Sequence, residues 1–295
     1  MKQRVSKGFN FLAVITVCAL FVISCSNVEQ NDSENDQVVL RDSITSLTLA
    51  WKTDSVLTGS ESTLYNPADN IIYVSCGNTD PSAKDGDGFI ALLNPDGTIK
   101  QKDWVTGLDA PKGMAILNGK LYVTDIDEVK VIDIKTAKIE KVIPVEGAEF
   151  LNDLASDGTL IYFSDSKAGI IYSLDQAGSI NAVINNATGI NGLECFDGSL
   201  YTLDQEGLKK YNSEYSPVLI SSDVTGGDGL VILNDSTFIA SRWAGEIYVI
   251  EGKKGSLLLD TKEQKSNTAD IGIIADKKLV LVPTFMKNEV AAYAF

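Results

Sequence analysis

The chain has 295 residues, 44% of them hydrophobic, a formal charge of −15 and no histidine. That length fills one large domain or two small ones, and that charge excludes the phosphate backbone of nucleic acid, which needs positive side chains to displace its counterions. The missing histidine removes Ser-His-Asp and Cys-His catalysis together with His-ligated zinc or iron.

At the N-terminus, Lys2, Arg4 and Lys7 precede an apolar run from Phe11 to Ile23, and the first 24 residues hold no acid. The run is too short to span a bilayer and has the length of a secretory signal's core. Without those three cations the remainder carries −18, which suits a domain that concentrates cations. Val22-Ile23-Ser24-Cys25 resembles the bacterial lipobox. That likeness implies a signal peptide over 1–24, lipidation of Cys25 and anchorage in the cell envelope, with Ser26 favouring the outer membrane. The bland alternative is an ordinary signal peptide with a chance cysteine. Residues 25–43 are polar and acidic and read as a disordered tether. Membrane contact is then expected through the lipid alone, on a monomer. Of the remaining cysteines, Cys76 and Cys195 fall in well-separated repeats, so two free thiols are expected even in an exported chain.

From residue 44 onward the chain repeats. "KGMAILNGKLYVTD" from 112, "NDLASDGTLIYFSD" from 152, "NGLECFDGSLYTLD" from 191, "DGLVILNDSTFIAS" from 228 and "DIGIIADKKLVLVP" from 270 align without gaps, at spacings of 40, 39, 37 and 42. Each shows an apolar strand, a turn rich in Asn, Asp and Gly, and a β-branched or aromatic strand, followed by an outer pair. A period near 40 with four strands per unit predicts β-propeller blades. A sixth unit starts at "ESTLYNPADNIIYVSC" (61–76), and residues 44–295 make six units of 42. The expected fold is therefore an all-β, six-bladed propeller with four antiparallel strands per blade. "EVAAYAF" supplies only a third strand for the last blade, so "ITSLTLAWKT" (44–53) is expected to close the ring.

The innermost strand of each blade lines the central channel, and its first residue faces one end of it. Those residues are Glu61, Lys112, Asn152, Asn191, Asp228 and Asp270. Crowded carboxylates repel, and desolvation sharpens the repulsion. A bound Ca2+, which takes six to eight oxygens, relieves it; so does neutralisation by Lys112 and bridging waters. Oxygen donors favour hard cations, so Ca2+ comes first, with Mg2+, Mn2+ or Zn2+ behind it. Asp125, Asp165 and Asp204 end three second strands, where they either rim the channel mouth or serve ordinary turn chemistry. The acidic loop "GNTDPSAKDGDG" (77–88) lies between strands and is long enough to cover that mouth.

These residues give the chain a resemblance to the regucalcin and gluconolactonase family, also called senescence marker protein-like, of six-bladed propellers that bind one divalent cation. The carriers are Glu61 with Tyr65 and Ile72-Tyr73, then Asn152-Asp153, Asn191-Gly192 and Asp228-Gly229, in order over residues 55–295. The resemblance implies metal ligation by Glu61, Asn191 and Asp228, with Asn152 contacting substrate. It implies hydrolysis of a lactone or ester, with Asp228 as proton acceptor and Asn152 or Lys112 holding the carbonyl oxygen. Two departures bear on specificity. Ser62-Thr63 follow Glu61 where the family has Gly-Pro, and Phe150 stands where lactonase members carry a substrate-contacting arginine. Arg242, in "SRWAGE", either replaces that charge or is a surface arginine stacked on Trp243. The rival reading is a non-catalytic propeller, since the second blade resembles NHL-type interaction blades equally well.

Overall fold

Runs such as IIYVSC (71–76) and LVLVP (279–283) are mostly apolar, and each is buried along its whole length. They are middle strands, packed on both faces. The computed structural model describes residues 43–77 and 80–295; the expected signal peptide, Cys25 and the expected tether up to residue 42 lie outside the described residues. Strand β1 (Thr48–Lys52) comes first and is used last. Blade 1 contains β2 (Ser60–Asn66), β3 (Ile71–Cys76), β4 (Gly88–Leu93) and β5 (Ile99–Leu108). Blade 2 contains β6 (Pro111–Leu117), β7 (Lys120–Asp125), β8 (Glu128–Asp133) and β9 (Lys138–Pro144). Blade 3 contains β10 (Leu151–Ser156), β11 (Ile161–Asp165), β12 (Ile170–Leu174) and β13 (Ile180–Ile184). Blade 4 contains β14 (Leu193–Phe196), β15 (Ser199–Asp204), β16 (Gly207–Tyr211) and β17 (Pro217–Ser221). Blade 5 contains β18 (Leu230–Asn234), β19 (Thr237–Arg242), β20 (Glu246–Glu251) and β21 (Lys254–Asp260). Blade 6 contains β22 (Gly272–Ile274), β23 (Leu279–Pro283) and β24 (Val290–Ala294).

Each of the six sheets has four strands in antiparallel sequence order, and blade 6 takes β1 as its fourth. The expected closure is present: β1 runs antiparallel to β24, with Thr48 opposite Ala294 and Lys52 opposite Ala291. Closure covers the outer edge of β24 and ties the start of the propeller to its last blade. The hydrophobic core is divided among the blade junctions. One cluster joins Ile72, Val74 and Leu93 of blade 1 to Leu281 and Ala292 of blade 6; another joins Leu117 and Val131 of blade 2 to Leu154 and Phe163 of blade 3. Outer strands meet water on their free edge; β9, KIEKVIP, has no buried residue, and β17, PVLIS, buries only its last. Cys76 and Cys195 are free thiols in separate blades.

The channel is set by how closely the inner strands approach. The residue after the opening one is glycine in blades 2, 4 and 5. A Cβ on Gly113 would stand 2.5 Å from Asp153 Cα, and one on Gly229 would stand 2.2 Å from Ile271 N. The Asn-Gly and Asp-Gly pairs thus have a steric cause. Buried hydroxyls on second strands fix the depth. Ser164 Oγ accepts from Asp153 N (3.0 Å) and donates to Asn191 O (2.9 Å); Ser241 Oγ accepts from Gly229 N (2.8 Å) and donates to Ala269 O (2.7 Å). Thr124 likewise donates to Asn152 O. In blades 2, 3 and 5 the second strand thus locates the first channel position of the next blade.

Candidate functional site

Glu61, Lys112, Asn152, Asn191 and Asp228 converge on one cavity of about 270 Å³ at the channel end where the inner strands begin. Pro81, Phe150, Trp243, Phe285 and Met286 complete its lining. Asp270 is not there. The hydroxyl relay shows that Ala269, whose carbonyl accepts from Ser241, is blade 6's counterpart of Asn152 and Asn191. Asp270 is one residue further on, and successive side chains of a strand point in opposite directions. Its carboxylate accepts from Ser62 Oγ, while its backbone joins blade 6 to blade 1, Asp270 N donating to Glu61 O at 2.9 Å.

The cavity floor is electrostatically unbalanced. Asp228 Oδ1 accepts from Asn191 Nδ2 at 2.7 Å. Asp228 Oδ2 and Glu61 Oε2 are buried without any hydrogen-bond partner among the described residues. Burial pushes the Glu61 carboxyl up to about 7, partly offset by Lys112. Burial, then the nearby Glu61 and Asp270, hold the Asp228 carboxyl well above the usual carboxylate range. Lys112 is the neighbouring cation, yet its Nζ donates to Pro81 O (3.0 Å) and Ala110 O (3.3 Å) and sits 4.7 Å from the centre of the Phe150 ring. It tempers the charge without bonding to either acid. Native proteins leave few buried polar atoms unpaired, and here two carboxylate oxygens in one cavity are left so. With its amide nitrogen committed to Asp228, Asn191 has its carbonyl oxygen left for an ion. Two carboxylates and one carboxamide carbonyl are the donor types that Ca2+ takes. The donor set fits.

Beneath lies a second cavity of about 110 Å³, lined in part by Ser62, Asp153, Glu194 and Asp270. Burial raises both aspartates, Asp270 to about 7, and the charge of Asp270 adds to the rise of Asp153. Burial also brings Glu194 up to about 7 from 4.5. A carboxyl whose folded pKa exceeds its unfolded value removes stability as pH climbs from about 4.5, and the loss is complete above about 7. Glu194→Gln should therefore raise the melting temperature at pH 8, by about 1–3 kcal/mol or some 2–10 °C, and leave it unchanged at pH 4.5. A shift of equal size at both pH values would show that the carboxyl's ionisation is not involved.

The remaining predicted residues are placed differently. Arg242 does not line the cavity. Its guanidinium donates to Thr225 O (3.0 Å) and Tyr248 Oη (3.3 Å) and lies 5.1 Å from the Tyr248 ring centre, so it stacks on that tyrosine and not on Trp243. Asp125, Asp165 and Asp204 do not rim the mouth; all three are buried beneath it. Asp125 accepts from the backbones of Asp109 and Ala110, and Asp165 from those of Glu149 and Phe150, so they hold up the loops that carry the pocket. Pro81 brings the 77–88 loop to the cavity, although Asn78 and Thr79 lie outside the described residues. Phe285 and Met286, from the turn after β23, carry no motif that marks them in advance.

The fold and this site define a class: a six-bladed β-propeller with an acid-and-amide cluster at one end of its channel. No family model matches the chain, and no curated protein matches it. Among solved structures it is similar to one titled "Streptogramin B lyase structure", at 13% identity and a TM-score of 0.57, over 80% of this chain and 93% of that one. Likeness at that identity establishes the propeller fold alone.

Proposed function

We propose that the protein is a divalent-metal-dependent hydrolase of the gluconolactonase type, acting on a lactone or ester at the mouth of the channel. The observation that carries this reading is the pair of buried, unpartnered oxygens, Glu61 Oε2 and Asp228 Oδ2, facing one cavity beside Asn191. Glu61, Asn191 and Asp228 hold the cation, Ca2+ foremost. When bound, a divalent cation polarises a carbonyl and lowers the pKa of water. The chain's own groups do the rest. Asp228 Oδ2, facing the cavity, accepts the proton of the attacking water. The water oxygen bonds to the carbonyl carbon, the ring or ester C–O bond breaks, and the proton passes to the leaving alkoxide. Asn152 lines the same cavity and orients the carbonyl oxygen, while Lys112 moderates the charge from its anchored position.

Attachment of Cys25 to lipid would place this monomeric propeller on the bacterial envelope, away from nucleic acid. The test is a panel of lactones and esters assayed with added Ca2+ and with chelator, with product analysis for incorporated water. Turnover abolished by chelator, with water in the product, supports hydrolysis. Cleavage without water incorporation would instead mark an elimination, the chemistry named for the structurally similar lyase. Metal binding without turnover of any panel member would leave a binding propeller and no enzyme.

A further inference from the structure

The acids and amides of the cavity come from the starts of the inner strands, and apart from Lys112 the rest of its lining is apolar. Phe150 stands on one side under the Lys112 ammonium, Pro81 lies on the loop above, and Trp243, Phe285 and Met286 form the other side. Blades 5 and 6 build that far side jointly. Trp243 meets Phe285 edge to face at 5.8 Å, and Asn267 ties the two segments together, its Nδ2 donating to Trp243 O (3.0 Å) and its Oδ1 accepting from Met286 N (3.3 Å). Despite being held this way, Trp243 and Met286 keep 44% and 54% of their surface exposed. Large apolar side chains fixed in place and left open to solvent at the mouth of a polar-floored cavity mark a ligand surface. Among the described residues the wall offers a hydroxyl few partners beyond the Trp243 indole N–H: two of the three Lys112 N–H groups go to backbone carbonyls, and Arg242 faces Thr225 and Tyr248.

We propose that the site takes a compact lactone or ester with an alkyl or aryl substituent, and discriminates against polyhydroxylated sugar lactones. This rests on the hydrolase reading for the identity of the reacting group, and on the wall alone for the apolar preference. The reacting carbonyl meets Asn152 and the acids on the floor, and the substituent lies between Phe150 and the Trp243–Phe285 pair. A sugar lactone would set most of its hydroxyls against apolar side chains that cannot replace their bonds to water. The cavity's 270 Å³ is small against the roughly 300–1,000 Å³ of drug-sized pockets, so the substituent is short or runs out along Met286.

The experiment has two arms, both on the full chain with Ca2+ present. In the first, kcat/KM is compared for a butyl-substituted γ-lactone and glucono-δ-lactone. The butyl compound should be favoured at least tenfold, and Trp243→Ala should erase most of that ratio through KM. In the second, an alkyl-substituted lactam, which resists hydrolysis, is titrated against tryptophan fluorescence, with Trp243→Phe identifying the responding residue. A saturable change lost in Trp243→Phe is expected. If the lactam binds and neither lactone turns over, the apolar site stands and the hydrolase reading falls. Turnover of the sugar lactone at an equal or better rate overturns the apolar preference while sparing the hydrolase. No lactam binding, with no preference between lactones, overturns it as well.

Discussion

Asp228→Asn should give a protein that is more stable than wild type without metal and no longer stabilised by Ca2+. In the metal-free wild type, two buried carboxylates share a cavity with one ammonium that bonds to neither. Burial and mutual repulsion of like charges both oppose ionisation there. The substitution keeps the shape, keeps an oxygen to accept from Asn191 Nδ2, and removes one charge. At pH 8 in chelator it should stabilise by about 1–3 kcal/mol, which is roughly 2–10 °C in melting temperature for a domain of this size. Saturating wild type with Ca2+ at a hundred times its Kd should add about 2.7 kcal/mol, and the variant should gain nothing. Hydrolysis should fall at least a hundredfold, since both an ion-holding group and the proton acceptor are lost. A scanning-calorimetry series with and without Ca2+ checks this. A variant less stable than wild type in chelator would mean that Asp228 is a structural hydrogen-bond acceptor and that its free oxygen carries no strain.

The second large effect is structural. Asp165 is fully buried and accepts from four backbone N–H groups, those of Glu149 (2.7 Å), Phe150 (3.1 Å), Lys167 (3.2 Å) and Ala168 (2.9 Å). Asp165→Ala leaves all four without that partner in a place water reaches poorly. Each such loss costs about 1–3 kcal/mol before relaxation, so a net destabilisation of about 3–5 kcal/mol is expected. Denaturant unfolding should show it as a lower midpoint at an unchanged slope. Because the loop it supports carries Phe150, the surviving folded fraction should also bind apolar ligands more weakly. A loss below about 1 kcal/mol would mean that the loop finds other partners.

The propeller was legible because turn chemistry, strand pattern and a period near 40 agree along the chain, and because the last repeat lacks a strand that residues 44–53 can supply. Glu61, Lys112, Asn152, Asn191 and Asp228 were legible for a related reason: a polar residue opening a strand buried on both faces has nowhere to go but the channel. Asp270 shows the limit of that logic. Its Asp-Ile-Gly looks like the Asp-Gly of blade 5, but the channel position is Ala269, and in a strand a slip of one residue reverses the side chain. Arg242 fails for another reason. A long side chain goes where its partners are, and Thr225 and Tyr248 lie in other segments that its own motif does not contain. The apolar wall was hidden because Trp243, Phe285 and Met286 become neighbours only when blades 5 and 6 pack together.

Metal content decides the central question. The purified chain, dialysed against Ca2+ and washed free of unbound ion, should retain one equivalent by elemental analysis, and Glu61→Gln and Asp228→Asn should each retain none. A wild-type protein that holds no ion, or variants that hold as much as wild type, would contradict the assignment of these oxygens to a cation.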